Sequence, residues 1–492
     1  MAAAAARAGL AFVVVTDHGD ATRTPDAPAY IGGVLCLDAV EISTTGGHYV
    51  ALGLGPAPYP LGGAPSAVVE DVARLGGFGF AAHPDSPRPE LSWTDWEAPI
   101  DGVEWLSADS EWRDESRGRL ARVLFDYALR PGPALATILD RPARTLERWE
   151  ALTSGRPVVA IAGHDAHGGI GKRAEGGEGL PVGGVPSYEA SFRAFSVRAI
   201  LSDRPSGDAA GDARALLEAL RGGRSFTAID AIAGPPMLDF HASRDNGNSA
   251  MGSVLPPGPV RMSVHAAVPP GARTVLLRDG REIASADGGV LQRDQPGVEG
   301  VYRVEVRVPG APGTPPVPWL LSNPIYFRSP PEVPADPVIE MTVFGDGLPW
   351  HVEKDPASTG VVTASPAEAS LQYELRAGDR ASQFVALVAD LQGRSRSFRQ
   401  ITFTGQASRP ARVSVQLRYP GGGGQRWGRS VYLDPQRRDI VVSVDDMTPG
   451  DHQSGPAPDS SAATALLFVV DLTNALPGTA NTIRIGSLAT GK

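Results

Sequence analysis

Residues 158–168 read VVAIAGHDAHG. A short apolar run, closed by Gly163, is followed at once by His164, Asp165 and His167. Such a run between turn formers reads as a buried strand, which places the polar residues at its C-terminal mouth, where βα folds collect their functional groups. A carboxylate and an imidazole two positions apart can leave a strand end toward one point, and oxygen with nitrogen suits Zn, Mn or Fe.

Working outward, other strands end in the same way. Leu10 to Val15 is a continuous apolar strand that empties into Thr16-Asp17-His18-Gly19-Asp20. Val34 to Ile42 is a further strand and delivers Glu41. After the turn Thr44-Thr45-Gly46-Gly47, the chain returns as HYVALGLG, with His48 on the outgoing arm of a hairpin. Ser66 to Leu75 has helical spacing in Val68, Val69, Val72 and Leu75, and Gly76-Gly77 stops it before FGFAAH, which ends at His83. Ile100 to Leu106 carries Glu104, and Arg- and Glu-rich helical segments lead on to Leu152. Strand and helix at this rhythm, with polar groups at the strand exits, predict parallel βα units closed as a barrel with function on one rim. His18, Glu41, His48, His83, Asp165 and His167 are then the ligands of a metal centre built from several strands.

The character changes after Ser191. SVRAIL (196–201) is one more strand and Ala210 to Leu220 a helix, so the barrel is expected to span 1–225. Alternating strands such as RMSVHAAV, RTVLLRDG and VYRVEVRV predict a β-sandwich over 226–328. Residues 329–337, SPPEVPADP, read as a Pro-rich linker. ARVSVQLRY, DIVVSV and ALLFVVDL then predict a second all-β unit of jelly-roll type over 338–492.

The bulk properties agree with several domains in one chain of 492 residues. A formal net charge of -10 opposes a nucleic-acid partner, because no basic face is there to displace counterions from phosphates. The single cysteine, Cys36, leaves no internal disulfide and no thiolate cluster, so a metal must be held by His and carboxylate. No run approaches the roughly 20 apolar residues of a membrane span. The opening MAAAAARAGL has no basic region followed by an apolar core, and reads as the end of a helix rather than a signal peptide.

The runs VVVTDHGD, LDAVEISTTGGHYVALGLG, GFGFAAHPD, GVEWLSAD and AIAGHDAHG, in this order, resemble the PHP (polymerase and histidinol phosphatase) metallohydrolases, with the carbaryl-hydrolase branch nearest. The resemblance covers about residues 1–225. It implies a distorted (β/α)7 barrel, holding two to three divalent ions in a complete family member. It implies Glu41 as the carboxylate bridging two metals, His48 and His83 as imidazoles completing one of those two sites, and Asp165 as a ligand of the other. His18 and His167 match a third site and Asp17 a supporting carboxylate. Asp165 and His167 fall where the resemblance places catalysis by a metal-activated water. Two departures stand out. The family opens with a His-x-His strand and a further ligand that nothing before Leu10 supplies, so the barrel is expected to lack its first strand, with Ala2 to Ala8 as the tail of the helix after it. Ser107 stands where the family often has Asn.

The expected activity is that of a metal-dependent phosphoesterase, with carbamate, ester or amide hydrolysis on the same centre as the second expectation. The third is a noncatalytic protein that binds glycan or a partner on a degenerate barrel. Lys172 and Arg173, in the Gly-rich stretch after the metal loop, and Arg198 are expected to hold a substrate anion. ALLFVVDLTNALPGTANTIRIGSL resembles the last strands of jelly-roll carbohydrate-binding modules, and Trp350 and Trp427 would then stack on sugar rings. Appended sandwiches without a cysteine framework fit a bacterial periplasmic or secreted protein.

Overall fold

The computed structural model describes residues 1–166, 186–245, 247–330, 341–343, 348–379, 382–391, 396–420, 425–450 and 459–491. His167, Lys172 and Arg173 and most of the 329–337 linker lie outside the described residues. The chain forms two compact units, one of Met1–Gly19, Thr24–Gly55 and Val68–Glu332, the other of Asp20–Arg23, Pro56–Ala67 and Val333–Lys492.

The first unit opens with a short alanine helix, α1 (Ala2–Ala8), which Gly9 ends in the left-handed conformation that glycine tolerates. The β-branched run that follows is β1 (Phe12–His18), parallel to β3 (Val34–Thr44), with Phe12 opposite Leu35 and His18 opposite Glu41. β2 (Ala29–Ile31) flanks β3. β4 (Gly47–Leu52) returns antiparallel, as the hairpin reading requires. Gly47 has φ 105°, and a Cβ there would lie 2.7 Å from the Ser92 carbonyl oxygen. β5 (Phe78–Ala82) is antiparallel to β4, and β6 (Gly102–Ser107) and β7 (Val159–Gly163) continue the sheet in parallel. The order β1-β3-β4-β5-β6-β7 is an open path, with β1 and β7 at its two ends. The expected run of parallel units closing on itself is thus observed as a mixed α/β sheet, because the tight 44–47 turn reverses β4. Its core is Leu35, Leu37, Val50, Leu52, Phe78 and Phe80, covered by Leu216 and Leu220 of the last helix of the α/β part, Ala209–Arg221.

One predicted barrel strand belongs elsewhere. β8 (Ser196–Ala199) pairs antiparallel with β9 (Ser225–Ala228), and both continue the eight-stranded sheet of the first sandwich. Side chains take the place of a strand on part of the outer edge of β7. Asn323 accepts from the Ala160 N–H (2.7 Å) and donates to the Ala160 carbonyl (3.0 Å), while the Tyr326 hydroxyl serves the N–H and carbonyl of Val158, each at 3.1 Å. The facing four-stranded sheet runs Gly247–Ala250, Met237–Arg244, Val260–Ala267, Val290–Gln295. Glu305, fully buried, accepts from Arg141, Arg303 and Arg307. Burial would raise its carboxyl, but the guanidinium groups outweigh that and hold it at about 2.

The second unit is a two-sheet β-sandwich. One six-stranded sheet is centred on Ala480–Gly491 and Gln400–Ala407, the other on Ala465–Asp471 and Ala411–Arg418. Alternate residues of both turn inward, so that Leu371, Leu387, Phe403, Val415, Phe468 and Ile483 form one core.

Candidate metal centre

The register of three strands assembles the centre. Glu41 lies opposite His18 on one side and Val50 on the other, and His48, two positions before Val50, shares the face of Glu41 because side chains alternate along a strand. His83 follows the end of β5, one residue beyond Ala82, the register partner of His48. The Glu41 Oε1 atom meets His48 Nδ1 at 2.6 Å and His83 Nε2 at 3.1 Å. Ligand atoms of His18, Glu41 and His48 all lie within 4.8 Å of one another. The His48 ring stands edge-on to His18 and His83, with centroids 5.2 and 5.1 Å away. His18 is thus within reach of Glu41 and His48, while His167, with which the family pattern groups it, lies outside the described residues.

A residue with no role expected from its place in the sequence, Glu104, holds His83 in place. His83 has φ 32°, a backbone state uncommon for a side chain with a Cβ. Its N–H donates to Glu104 Oε2 at 2.8 Å, and its Nδ1 faces the Leu91 carbonyl at 3.2 Å. Glu104 in turn packs on Gly163, where an added Cβ would lie 2.0 Å from Glu104 Oε1. The sequence signal was a lone acid inside the apolar strand GVEWLS.

The electrostatics divide the two carboxylates. Burial alone would raise Glu41, but hydrogen bonds from His48 and His83 bring it down to about 2. Burial raises Glu104 to about 7, with Glu41 and Asp165 adding to the rise and His83 opposing it. Burial would lower His83, but Glu41, Glu104 and Asp165 together raise it to about 9. The donor set of two or three imidazoles around a buried carboxylate fits a borderline divalent ion such as Zn, Mn or Fe.

Asp165 has φ 44° and acts electrostatically on both His83 and Glu104. Asp17 is exposed, next to His18. Arg198 lines the larger cavity described below and is ion-paired with Asp230. The stacking expectation is corrected for Trp427. Trp427 is 6% exposed within the sandwich core, and Trp350 packs on that core beside Phe468, because the strand alternation turns both indoles inward.

Two cavities adjoin the centre. One of about 870 Å³ runs from His18, Glu41, His83 and Glu104 along β1 and β8. The other, about 740 Å³, is lined by Arg88, Trp112, Arg113, Leu135, Ile138 and Phe195, among others. His164, Asp165 and Ala166 border both. His164 stacks on Phe195 at 4.2 Å, and burial holds it neutral down to about 4.

No family model and no curated protein matches the chain. Among solved structures it is similar to the family 11 carbohydrate-binding module of the cellulosomal cellulase Lic26A-Cel5E of Clostridium thermocellum, at 11% identity over 32% of this chain and 97% of that one, with a TM-score of 0.25. It is also similar to a family 29 carbohydrate-binding module complexed with mannohexaose, at 12% identity over 31% and 92% of the two chains, with a TM-score of 0.21.

Proposed function

We propose that the first unit is a metal-dependent hydrolase of PHP type, built on a distorted (β/α)7 scaffold, and that phosphoesters are its substrates. The observation that carries this reading is the buried Glu41 carboxylate gripped by His48 and His83, with His18 inside ligand range. His18, Glu41, His48 and His83 would hold the ion, with Asp165 and, by the resemblance, His167 as further ligands. A bound Zn, Mn or Fe ion supplies Lewis acidity and makes water a nucleophile near neutral pH.

The chain's own groups have distinct tasks. Glu41 stays ionised throughout the physiological range and so keeps its negative charge at the centre. Glu104, through the His83 N–H, fixes the imidazole in its unusual backbone setting. Arg88 and Arg113 line the second cavity, which Asp165 also borders, and their charge suits an anionic ester; Arg113 shares its charge with Asp109. The apolar walls Trp112, Leu135, Ile138 and Phe195 favour a second reading, an aryl carbamate or carboxylic ester on the same centre. A bacterial periplasmic or secreted setting belongs to the same proposal.

The test is turnover of an aryl phosphate, a cyclic phosphodiester and a naphthyl carbamate by the zinc- or manganese-loaded chain, with Glu41→Ala as control. Phosphoester cleavage lost in the variant supports the first reading, and carbamate cleavage alone selects the second. Metal-loaded chain that turns over none of them leaves the noncatalytic glycan- or partner-binding reading.

A further inference from the structure

Three segments meet in the second unit, and two of them come from the early part of the sequence. Asp20–Arg23 and Pro56–Ala67 belong to it together with Val333–Lys492. The chain passes into this unit between Gly19 and Asp20, directly after β1 and its last residue, His18. The two early segments are joined by backbone bonds. The Ala57 N–H donates to the Ala21 carbonyl at 2.8 Å, and the Leu61 N–H to the Asp20 carbonyl at 2.9 Å. Ala21, Ala57, Tyr59 and Leu61 are all buried. Ala21 has φ 62°, a state that a residue with a Cβ keeps only where its surroundings fix it.

One side chain of the sandwich completes this arrangement. Asn474 follows the strand Ala465–Asp471 and donates its Nδ2 to the carbonyls of Pro60 and Gly62, at 3.0 and 3.3 Å, on either side of Leu61. Both partners are acceptors, so the amide nitrogen must face them, and its two N–H groups are spent there. A buried loop has to pair its backbone groups, and one side-chain amide here serves two of them. Nearby, the Tyr59 and Tyr432 rings lie 6.4 Å apart, and Arg412, 3% exposed, donates to the Ala67 carbonyl at 2.9 Å. The hydrogen bonds thus lead from Asn474 past Leu61 to Asp20, and only Gly19 separates Asp20 from His18.

His18 is the member of the metal centre that most needs such support. The His48 ring is bonded to Glu41, and the His83 ring to Glu41 and the Leu91 carbonyl, whereas the His18 ring has no hydrogen bond among the described residues. Its place is set by β1 and by the backbone that follows, where the Gly19 N–H donates to the Glu41 carbonyl at 3.1 Å. Groups behind metal ligands typically change affinity by about 10- to 100-fold. We propose that Asn474 is a positioning residue for His18, and that the second unit acts as a clasp on the segment after β1. The role given to His18 rests on the metal-binding reading of the first unit, but the clasp is made of hydrogen bonds and can be measured without an ion.

The experiment uses the full chain, with hydrogen exchange read at single amides and zinc affinity read by competition with a chromophoric chelator. Asn474→Asp keeps the shape, removes both donors and turns a carboxylate toward two carbonyls. It is expected to speed exchange at the Gly19 amide by about tenfold and to weaken zinc binding by about tenfold. Asn474→Ala, which adds no charge, is expected to act in the same direction. Phe468→Ala empties the sandwich core, which neither early segment enters, and is expected to change both readings by less than about twofold while the chain stays folded. In a His18→Ala background, Asn474→Asp should weaken zinc binding no further. Unchanged exchange at Gly19 in both Asn474 variants, an equal effect of Phe468→Ala, or fully additive losses with His18→Ala overturns the proposal. A native chain that binds no zinc, with Gly19 exchange still quickened in the Asn474 variants, removes the metal reading and leaves the clasp.

Discussion

Glu41 and Glu104 lie on either side of His83, yet one is held ionised and the other is pushed toward its neutral form. In protein stripped of metal this has a defined pH signature. Glu41 falls from 4.5 to about 2 on folding, so its stabilisation is present above pH 4.5 and disappears as the pH drops toward 2. Glu104 rises from 4.5 to about 7 and His83 from 6.5 to about 9, so in each case the folded state binds more protons than the unfolded one, and stability declines with rising pH through those two windows. Urea midpoints measured from pH 3 to 9 should therefore peak near pH 4.5 to 5. Glu104→Gln should remove the decline between pH 4.5 and 7, worth up to about 3 kcal/mol from the Glu104 shift. An unchanged slope in the variant would remove Glu104 from this account. Gly163→Ala should push the Glu104 carboxylate aside and cost about 1–3 kcal/mol in the same assay, as overpacking does. The strands that carry His18, Glu41 and His48, and the one that His83 follows, could be read from the sequence, although Glu41 lies inside β3 and not at its end. The part played by Glu104 and Gly163 could not, since it passes through a backbone N–H that only the folded chain brings within reach.

At the scale of elements, the apolar runs at Phe12–His18, Phe78–Ala82 and Val159–Gly163 announced their strands, and the 44–47 turn announced its hairpin. What each strand pairs with was harder to read. A four-residue strand such as Ser196–Ala199 carries no mark of the sheet it joins, and its place was decided by Ser225–Ala228 and by the two side chains on the edge of β7. Asn323 is the sharper of those two. It is 1% exposed and satisfies both backbone groups of Ala160 as well as the Ser225 carbonyl. Asn323→Leu keeps the volume and strands those groups, so a loss of about 2–4 kcal/mol is expected from two or more unpaired buried groups. Denaturant unfolding measures it, and a loss near zero would mean that the edge finds other partners.

Across the whole molecule, the alternating runs after residue 226 correctly indicated sandwiches, while the outward role given to Trp427 failed because alternation fixes that residues share a face and leaves open which face is inside. In the second unit the answer lies with Phe468, fully buried against Phe403 at 5.1 Å. Phe468→Ala should cost about 3–5 kcal/mol in denaturant unfolding, as emptied aromatic sites do. As proposed above, side chains from β1, β3, β4 and the end of β5 would together hold a divalent ion, and the metal content of each chain measures this. After zinc loading and exhaustive dialysis, the native chain should retain about one ion or more, and Glu41→Ala and His83→Ala should each weaken retention by about tenfold or more while still folding. A native chain that retains no ion, or variants that retain as much as the native chain, would contradict the account.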